Sequence, residues 1–143
     1  MPPEKIAYTE LEEGYEFPKS SFFLDSSLVR SYVEVVGEDS ALYQNTSFVP
    51  PMAIAALAMA ALSDLVLFPP GVLHVSQEVE FFNIANVNDV LVSQARVTRK
   101  QRRGTLNLMA IELHIIAKGD IKILVGKTEF IVPEPGVANN RHE

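Results

Sequence analysis

Residues Pro51 to Leu62 read P-M-A-I-A-A-L-A-M-A-A-L, and this run decides the architecture. A proline suits the first turn of a helix, where its missing N–H is not needed by the hydrogen-bond ladder. The pattern predicts a helix from about Pro51 to Val66, apolar on every side until Ser63 and Asp64. A helix that is apolar all round has to be buried all round. Its alanines, with Ala53, Ala56 and Ala60 on one stripe of core packing, let other backbone come close, as a curved sheet wrapped around the helix would.

Working outward, Glu16–Leu24 suits a first strand through Phe22, Phe23 and Leu24. Asp25, Ser26 or Ser27 can then cap a helix, since a side-chain oxygen there accepts from first-turn N–H groups. Leu28, Val29, Tyr32, Val33, Val35 and Val36 give that helix an apolar face, and Gly37 ends it. Residues 1–15 read as a polar lead-in with a short strand or turn. Downstream, Val72–Phe82 alternates, with Val75, Val79 and Phe81 opposite Ser76, Glu78 and Glu80. Val90–Lys100, Thr105–Ala117 and Ile121–Val132 follow as strands, separated by N-V-N-D, Q-R-R-G and K-G-D, all turn chemistry. The order is strand, helix, buried helix, then four strands. An α+β hot-dog fold, one long antiparallel sheet around one central helix, fits this order; so does a helix lying on one sheet face.

At 143 residues the chain suits a single domain with one core, residues 1–143. Eighteen acidic against twelve basic side chains give a net charge of −6, the wrong sign for nucleic acid. The chain has no cysteine, which removes disulfides and thiolate metal sites. The apolar run is shorter than the ~20 residues of a membrane span, and M-P-P-E-K does not read as a signal peptide. These features point to a cytoplasmic globular protein, with neither membrane nor nucleic acid as a partner. His74, His114 and His142 do not form a metal set, and each reads as a surface or partly buried polar position.

Between the two helices lies V-G-E-D-S-A-L-Y, Val36–Tyr43, with two acids and a tyrosine in a turn. It resembles the active-site loop of the MaoC-like hydratase/dehydratase family, whose motif reads roughly G-D-x-N-P-[LIV]-H. Within that family the match is to the FAS1-like dehydratase domain type. Ser40-Ala41-Leu42-Tyr43 resembles its N-P-L-Y, and Val49-Pro50-Pro51 resembles its A-P-P before the central helix. Leu73–Phe81 resembles its second-strand signature, and Asn88-Asp89 stands where G-D is usual. The resemblance spans about residues 16–133. It implies a hot-dog fold and an enoyl-thioester substrate, coenzyme A or acyl-carrier bound, with no further cofactor. In active members a loop aspartate and histidine hold and deprotonate a water that adds across the double bond. A backbone N–H from a glycine at the start of the central helix stabilises the thioester oxygen.

By the same resemblance Glu38 takes the aspartate position with Asp39 beside it, Tyr43 the histidine, Ser40 the asparagine and Pro51 the glycine. A phenol with a pKa near ~10 cannot do at neutral pH what an imidazole near ~6.5 does. Proline has no N–H to give an oxyanion hole, a loss that typically costs ~10²–10³ in rate. Glu38 moves its carboxylate by one methylene. The catalytic set Glu38, Asp39 and Tyr43 therefore reads as degenerate, although Tyr43 has two readings: a ring packed under the helix, or a hydroxyl orienting a thioester. Ser40, Pro50, Pro51 and Met52 line the implied substrate site, the prolines also setting helix entry. Arg99, Lys100, Arg102 and Arg103 form the one basic cluster, either a solvated hairpin tip or, for Arg99, Arg102 and Arg103, a seat for coenzyme A phosphates. Asp64 suits an interface or a cap for the loop after the helix.

Three functions fit these residues. The first is a degenerate substrate-binding or scaffolding subunit that pairs, hot dog to hot dog, with a catalytic MaoC-like chain. The second is an active (R)-specific enoyl-CoA hydratase or 3-hydroxyacyl dehydratase with Glu38 or Asp39 as base and Tyr43 as proton donor. The third is a non-enzymatic dimer that holds an acyl chain. A homodimer or a heterodimer is expected in each case, not a monomer.

Overall fold

The computed structural model describes residues 5–36 and 48–133, and its sheet carries most of the chain. Strands β2 (Ser20–Phe23), β4 (Leu73–Phe81), β5 (Val90–Arg103), β6 (Leu106–Ala117) and β7 (Ile121–Pro133) form one sheet. Their order is β2-β5-β6-β7-β4, antiparallel throughout. A second, two-stranded sheet pairs β1 (Ile6–Ala7) in parallel with β3 (Val66–Leu67). The helices are α1 (Ser26–Val36) and α2 (Pro51–Ser63).

The alternation read from the sequence sets the two sheet faces. Leu91, Ser93, Ala95 and Val97 of β5 are buried, as are Met109, Ile111, Leu113 and Ile115 of β6, and they make one core with Ala53, Ile54, Ala58 and Leu62 of α2. The intervening residues line the outer face. There the register sets Arg96 against Glu112, Glu112 against Lys127, and Lys127 against Glu78, a row of alternating sign across four strands. Opposite charges in directly facing positions support a register, and a one-residue slip would set them against the core. Half-exposed His114 lies 2.6 Å from Glu112; that hydrogen bond holds the Glu112 carboxyl below its ordinary value, against a smaller opposing effect of burial.

Asp25 caps α1 as expected: its Oδ1 accepts from the Ser27 and Leu28 N–H groups at 2.7 and 3.3 Å and from the Ser27 hydroxyl. The Ser27 hydroxyl bond comes first among the causes that hold the Asp25 carboxyl below its usual value. Of the predicted apolar face, Val29 is buried and Leu28 is exposed; the side chains beyond Ser31 and the proposed stop at Gly37 lie outside the described residues.

Three expectations need correcting. Helix α2 stops at Ser63, capped by Asp64, whose N–H donates to the Ala60 carbonyl at 3.2 Å. Val66 and Leu67 instead leave as β3, because the lead-in segment offers Ile6 and Ala7 as a parallel partner. Secondly, α2 is not buried all round. Ala53, Ala55 and Ala58 are buried, but Ala56 and Ala60 are exposed and Met52 is 56% exposed. A single sheet covers one side of a helix, and within this chain nothing described covers the other. Thirdly, Val75 does not share a side with Val79 and Phe81. A bulge between His74 and Ser76 leaves Val75 without a Cα partner, and it is exposed.

The lead-in segment closes one end of the core. Tyr8, Leu11 and Phe17 are buried, and Gly14 N–H and Phe17 N–H donate to the Val97 and Ala95 carbonyls. Tyr8, Phe68, Phe130 and His74 follow as a row of rings with centroids 6.4, 4.9 and 5.1 Å apart. The Thr128 hydroxyl and His74 Nε2 lie 2.6 Å apart, which satisfies a side chain that is otherwise buried.

The contrast between the two sides of α2 gives a test. Ala58→Leu, at a fully buried site, should lower stability by ~1–3 kcal/mol through overpacking, whereas Ala60→Leu should stay within ~0.5 kcal/mol. Urea denaturation of the two variants measures both; equal losses would place cover over the Ala60 side within the chain itself.

Candidate functional site

The segment entering α2 is tied to the loop after β4. Val49 N–H donates to the Ala85 carbonyl at 2.9 Å, and Phe48 bridges to Asn86. The loop is in turn held by a tight turn: Asp89 Oδ2 accepts from Asn86 N–H at 2.8 Å, and Asp89 N–H donates to the Asn86 carbonyl at 3.0 Å. Asn88 N–H reaches the Leu24 carbonyl at 2.8 Å, and Leu24 N–H returns to Asp89 at 2.9 Å. One turn thus fastens β2, the loop after β4 and the α2 entry together. Asn88 sits at φ 76°, the left-handed region that glycine enters freely and asparagine tolerates. That accounts for asparagine where the resemblance has glycine: the backbone shape is kept.

Between these pieces lies a hollow of about 270 Å³, walled by Phe48, Pro51 and Ile54 on one side and by Phe81, Phe82 and Ile84 on the other. Phe82 and Ile84 are 45% and 61% exposed, so the hollow opens to solvent through apolar side chains. At its floor is the N-terminus of α2. The Pro50 carbonyl accepts from Ala53 and Ile54 N–H at 2.9 and 3.4 Å. Pro51 has no N–H, and among the described residues Met52 N–H has no acceptor. The unpaired first-turn N–H groups and the helix dipole make this end of α2 an electropositive seat for an oxygen atom carrying partial negative charge. The chemistry available here is that of holding an apolar chain with a polar, oxygen-bearing head at the helix end.

Of the residues singled out from the sequence, Pro51 lines this hollow, Met52 stands exposed beside it, and Pro50 is buried beneath. Glu38, Asp39, Ser40 and Tyr43 lie outside the described residues; in sequence they fall between α1 and Phe48. The basic cluster lies on β5 rather than on the hairpin turn, because the strand runs to Arg103 before Gly104 turns the chain at φ 62°. Arg99 donates through Nε and Nη2 to Gln101 at 3.1 and 2.6 Å, and Arg102 Nε donates to the Gly104 carbonyl. Lys100 points the other way, its Nζ bonded to the Leu11 carbonyl at 2.6 Å and set over the Tyr8 ring. Arg99 pairs with Ala110, whereas Phe81 pairs with Leu124 and that in turn with Ile115. Five residues of β6, ~17 Å, separate the two rows. A single chain does not bring Arg99, Arg102 and Arg103 to the hollow.

The walls Phe82 and Ile84 were not singled out from the sequence as site residues. The available signal was apolar side chains in a turn, F-F-N-I, where polar ones are usual. A second hollow, about 380 Å³, lies between Glu16, Lys19, Arg96, Glu112 and His114, with Phe17 and Ala95 also in its lining. Among the described residues no group of three side chains suited to a metal ion occurs, and no helix is long and apolar enough to cross a membrane.

No protein-family model matches the sequence, and no curated protein resembles it at sequence level. Solved structures do. The chain is similar to R-hydratase PhaJ1 from Pseudomonas aeruginosa, with a TM-score of 0.74 and 20% identity over 91% of this chain and 87% of that one. It is similar to the MaoC-like dehydratase from Rhodospirillum rubrum at a TM-score of 0.69 and 13% identity, covering 89% and 96%. This is a hot-dog fold. A third hot-dog structure, in the 3R-hydroxyacyl-ACP dehydratase complex HadBC from Mycobacterium tuberculosis, matches at a TM-score of 0.68 and 14% identity over 83% and 96%. In this hot-dog domain the expected architecture holds, with the sheet against one side of the central helix.

The turn at Asn88 is open to direct test. Asn88→Gly should be neutral within ~1 kcal/mol, whereas Asn88→Val, β-branched at positive φ, should cost ~1–3 kcal/mol. Thermal denaturation of both variants gives the comparison, and an unaffected valine variant would show that the turn does not need this conformation.

Proposed function

We propose that this chain is a MaoC-like acyl-thioester-binding subunit of the enoyl-CoA hydratase and 3-hydroxyacyl dehydratase type. It acts in the cytoplasm beside a catalytic subunit of the same fold and does not carry the whole reaction itself. The observation that supports this reading best is the apolar hollow lined by Pro51 and Ile54 at the start of α2, where Met52 N–H has no acceptor among the described residues. An acyl chain would lie against Phe48, Ile54 and Phe82, leaving the thioester oxygen to accept from Met52 N–H, one residue past the proline that cannot donate.

Hydration needs three further things: a base to take a proton from water, the new C3–O bond, and a proton delivered to C2. Glu38 can accept a proton, but Tyr43 in place of an imidazole neither donates nor accepts readily at neutral pH. Binding survives these replacements more readily than proton transfer does, which favours a substrate-holding role. The likeness to a subunit of a two-component dehydratase supports a division of labour between paired hot dogs.

The test is the absorbance of the conjugated thioester when purified protein meets crotonyl-CoA and longer trans-2-enoyl-CoAs. The expected result is no turnover by the chain alone, with acyl-CoA binding by calorimetry that Ile84→Asp weakens ~10-fold, about 1.4 kcal/mol. Turnover abolished by Glu38→Gln would replace this reading with an active hydratase of altered chemistry. Binding of free fatty acid in preference to the thioester would instead favour a non-enzymatic carrier.

A further inference from the structure

One wall of the apolar hollow stands in a loop and is held from outside it. Ile54 is buried within α2 and Phe48 is bridged to Asn86, whereas the Phe82 ring is 45% exposed. An exposed side chain changes rotamer on the picosecond-to-nanosecond scale unless something holds it. The start of β7 supplies what holds this one.

Asn83 Nδ2 donates to the Lys122 carbonyl at 2.7 Å, and the Phe82 and Asn83 N–H groups both donate to the Ile123 carbonyl, at 2.8 and 3.5 Å. The ladder is irregular here: Ile115 pairs with Leu124 and Ile116 with Lys122, which leaves Ile123 without a Cα partner on β6. A bulge re-aims the side chains beside it. The Lys122 ammonium stands over the Phe82 ring, 4.9 Å from its centroid. Among the described residues no carboxylate pairs with Lys122. A cation is drawn to the negative face of a ring, so the attraction depends on how the ring is turned. The backbone bonds place the loop, and the ammonium selects the rotamer.

The size of the hollow says what that rotamer is for. At about 270 Å³ it lies just below the ~300–1,000 Å³ of ordinary small-molecule sites. With the Phe82 ring where it stands, such a hollow takes a short acyl chain. A longer chain has to push the ring aside and break its contact with Lys122.

We infer that Lys122 is a positioning residue that determines chain length: by holding the Phe82 ring as a wall, it restricts the hollow to short acyl chains. The inference rests on the acyl-binding reading above.

Calorimetry of wild type, Lys122→Gln and Lys122→Arg with butyryl-CoA and decanoyl-CoA tests it. The readout is the ratio of the two affinities. Both ligands carry the same coenzyme, so any lost attraction for its phosphates cancels in that ratio. Lys122→Gln should shift the ratio toward decanoyl-CoA by about two- to fivefold, the scale of an exposed cation–ring contact. Lys122→Arg keeps a cation over the ring and should match wild type. In a Phe82→Ala background, adding Lys122→Gln should move the ratio no further, because the two residues act as one unit. Thioesters that bind with an unchanged ratio in Lys122→Gln, or a shift that persists in the Phe82→Ala background, overturn the inference and leave the acyl-binding reading standing. Binding of neither thioester overturns that reading, and the inference with it.

Discussion

An α-helix that is apolar on every side needs more cover than one sheet can give. That mismatch shapes the rest of this molecule. The sheet buries Ala53, Ile54, Ala58 and Leu62, and the small alanines let α2 lie close to the strands. The far side, with Met52, Ala56 and Ala60, is left open, as is the neighbouring β4. Contiguous exposed apolar surface marks an interaction site.

The hollow at the start of α2 depends on the same geometry from another direction. Its far wall is the last part of β4 and the loop after it, and that loop is held by the Asn86–Asp89 turn to both Leu24 and Val49. Four backbone bonds and one carboxylate thus fix where Phe82 and Ile84 stand relative to the helix end. A binding site whose polar element is a backbone N–H cannot be removed by side-chain replacement, except by a proline at that position. Residue 51 is a proline, and the next N–H remains. On the proposed reading, the replacements that weaken proton transfer leave the means of holding an acyl group in place.

Much of the fold was legible because it is written in period-two alternation and turn residues. β5, β6 and β7 come within a few residues of their expected limits, and Asp25 caps the first helix through its carboxylate. What was not legible depended on partners remote in sequence. Val66 and Leu67 look like helix until Ile6 and Ala7 are placed beside them. The bulge at Val75 is invisible in a run that alternates cleanly, and composition alone made α2 seem enclosed. The motif residues Glu38, Asp39, Ser40 and Tyr43 lie outside the described residues, and the apolar walls of the hollow come from a loop whose role appears only when Val49 meets Ala85. The basic residues of β5 were legible as a cluster, yet sequence gave no sign that they stand at the other end of the sheet from the hollow.

The central claim is that an acyl thioester sits with its head at the open end of α2. Amide chemical shifts of the ¹⁵N-labelled chain, followed during titration with butyryl-CoA, test that most directly. The account predicts the largest change at Met52 N–H, with shifts at Ile54, Phe82 and Ile84 and little movement around Arg96 and His114. Shifts centred on the second hollow with Met52 unmoved would contradict it.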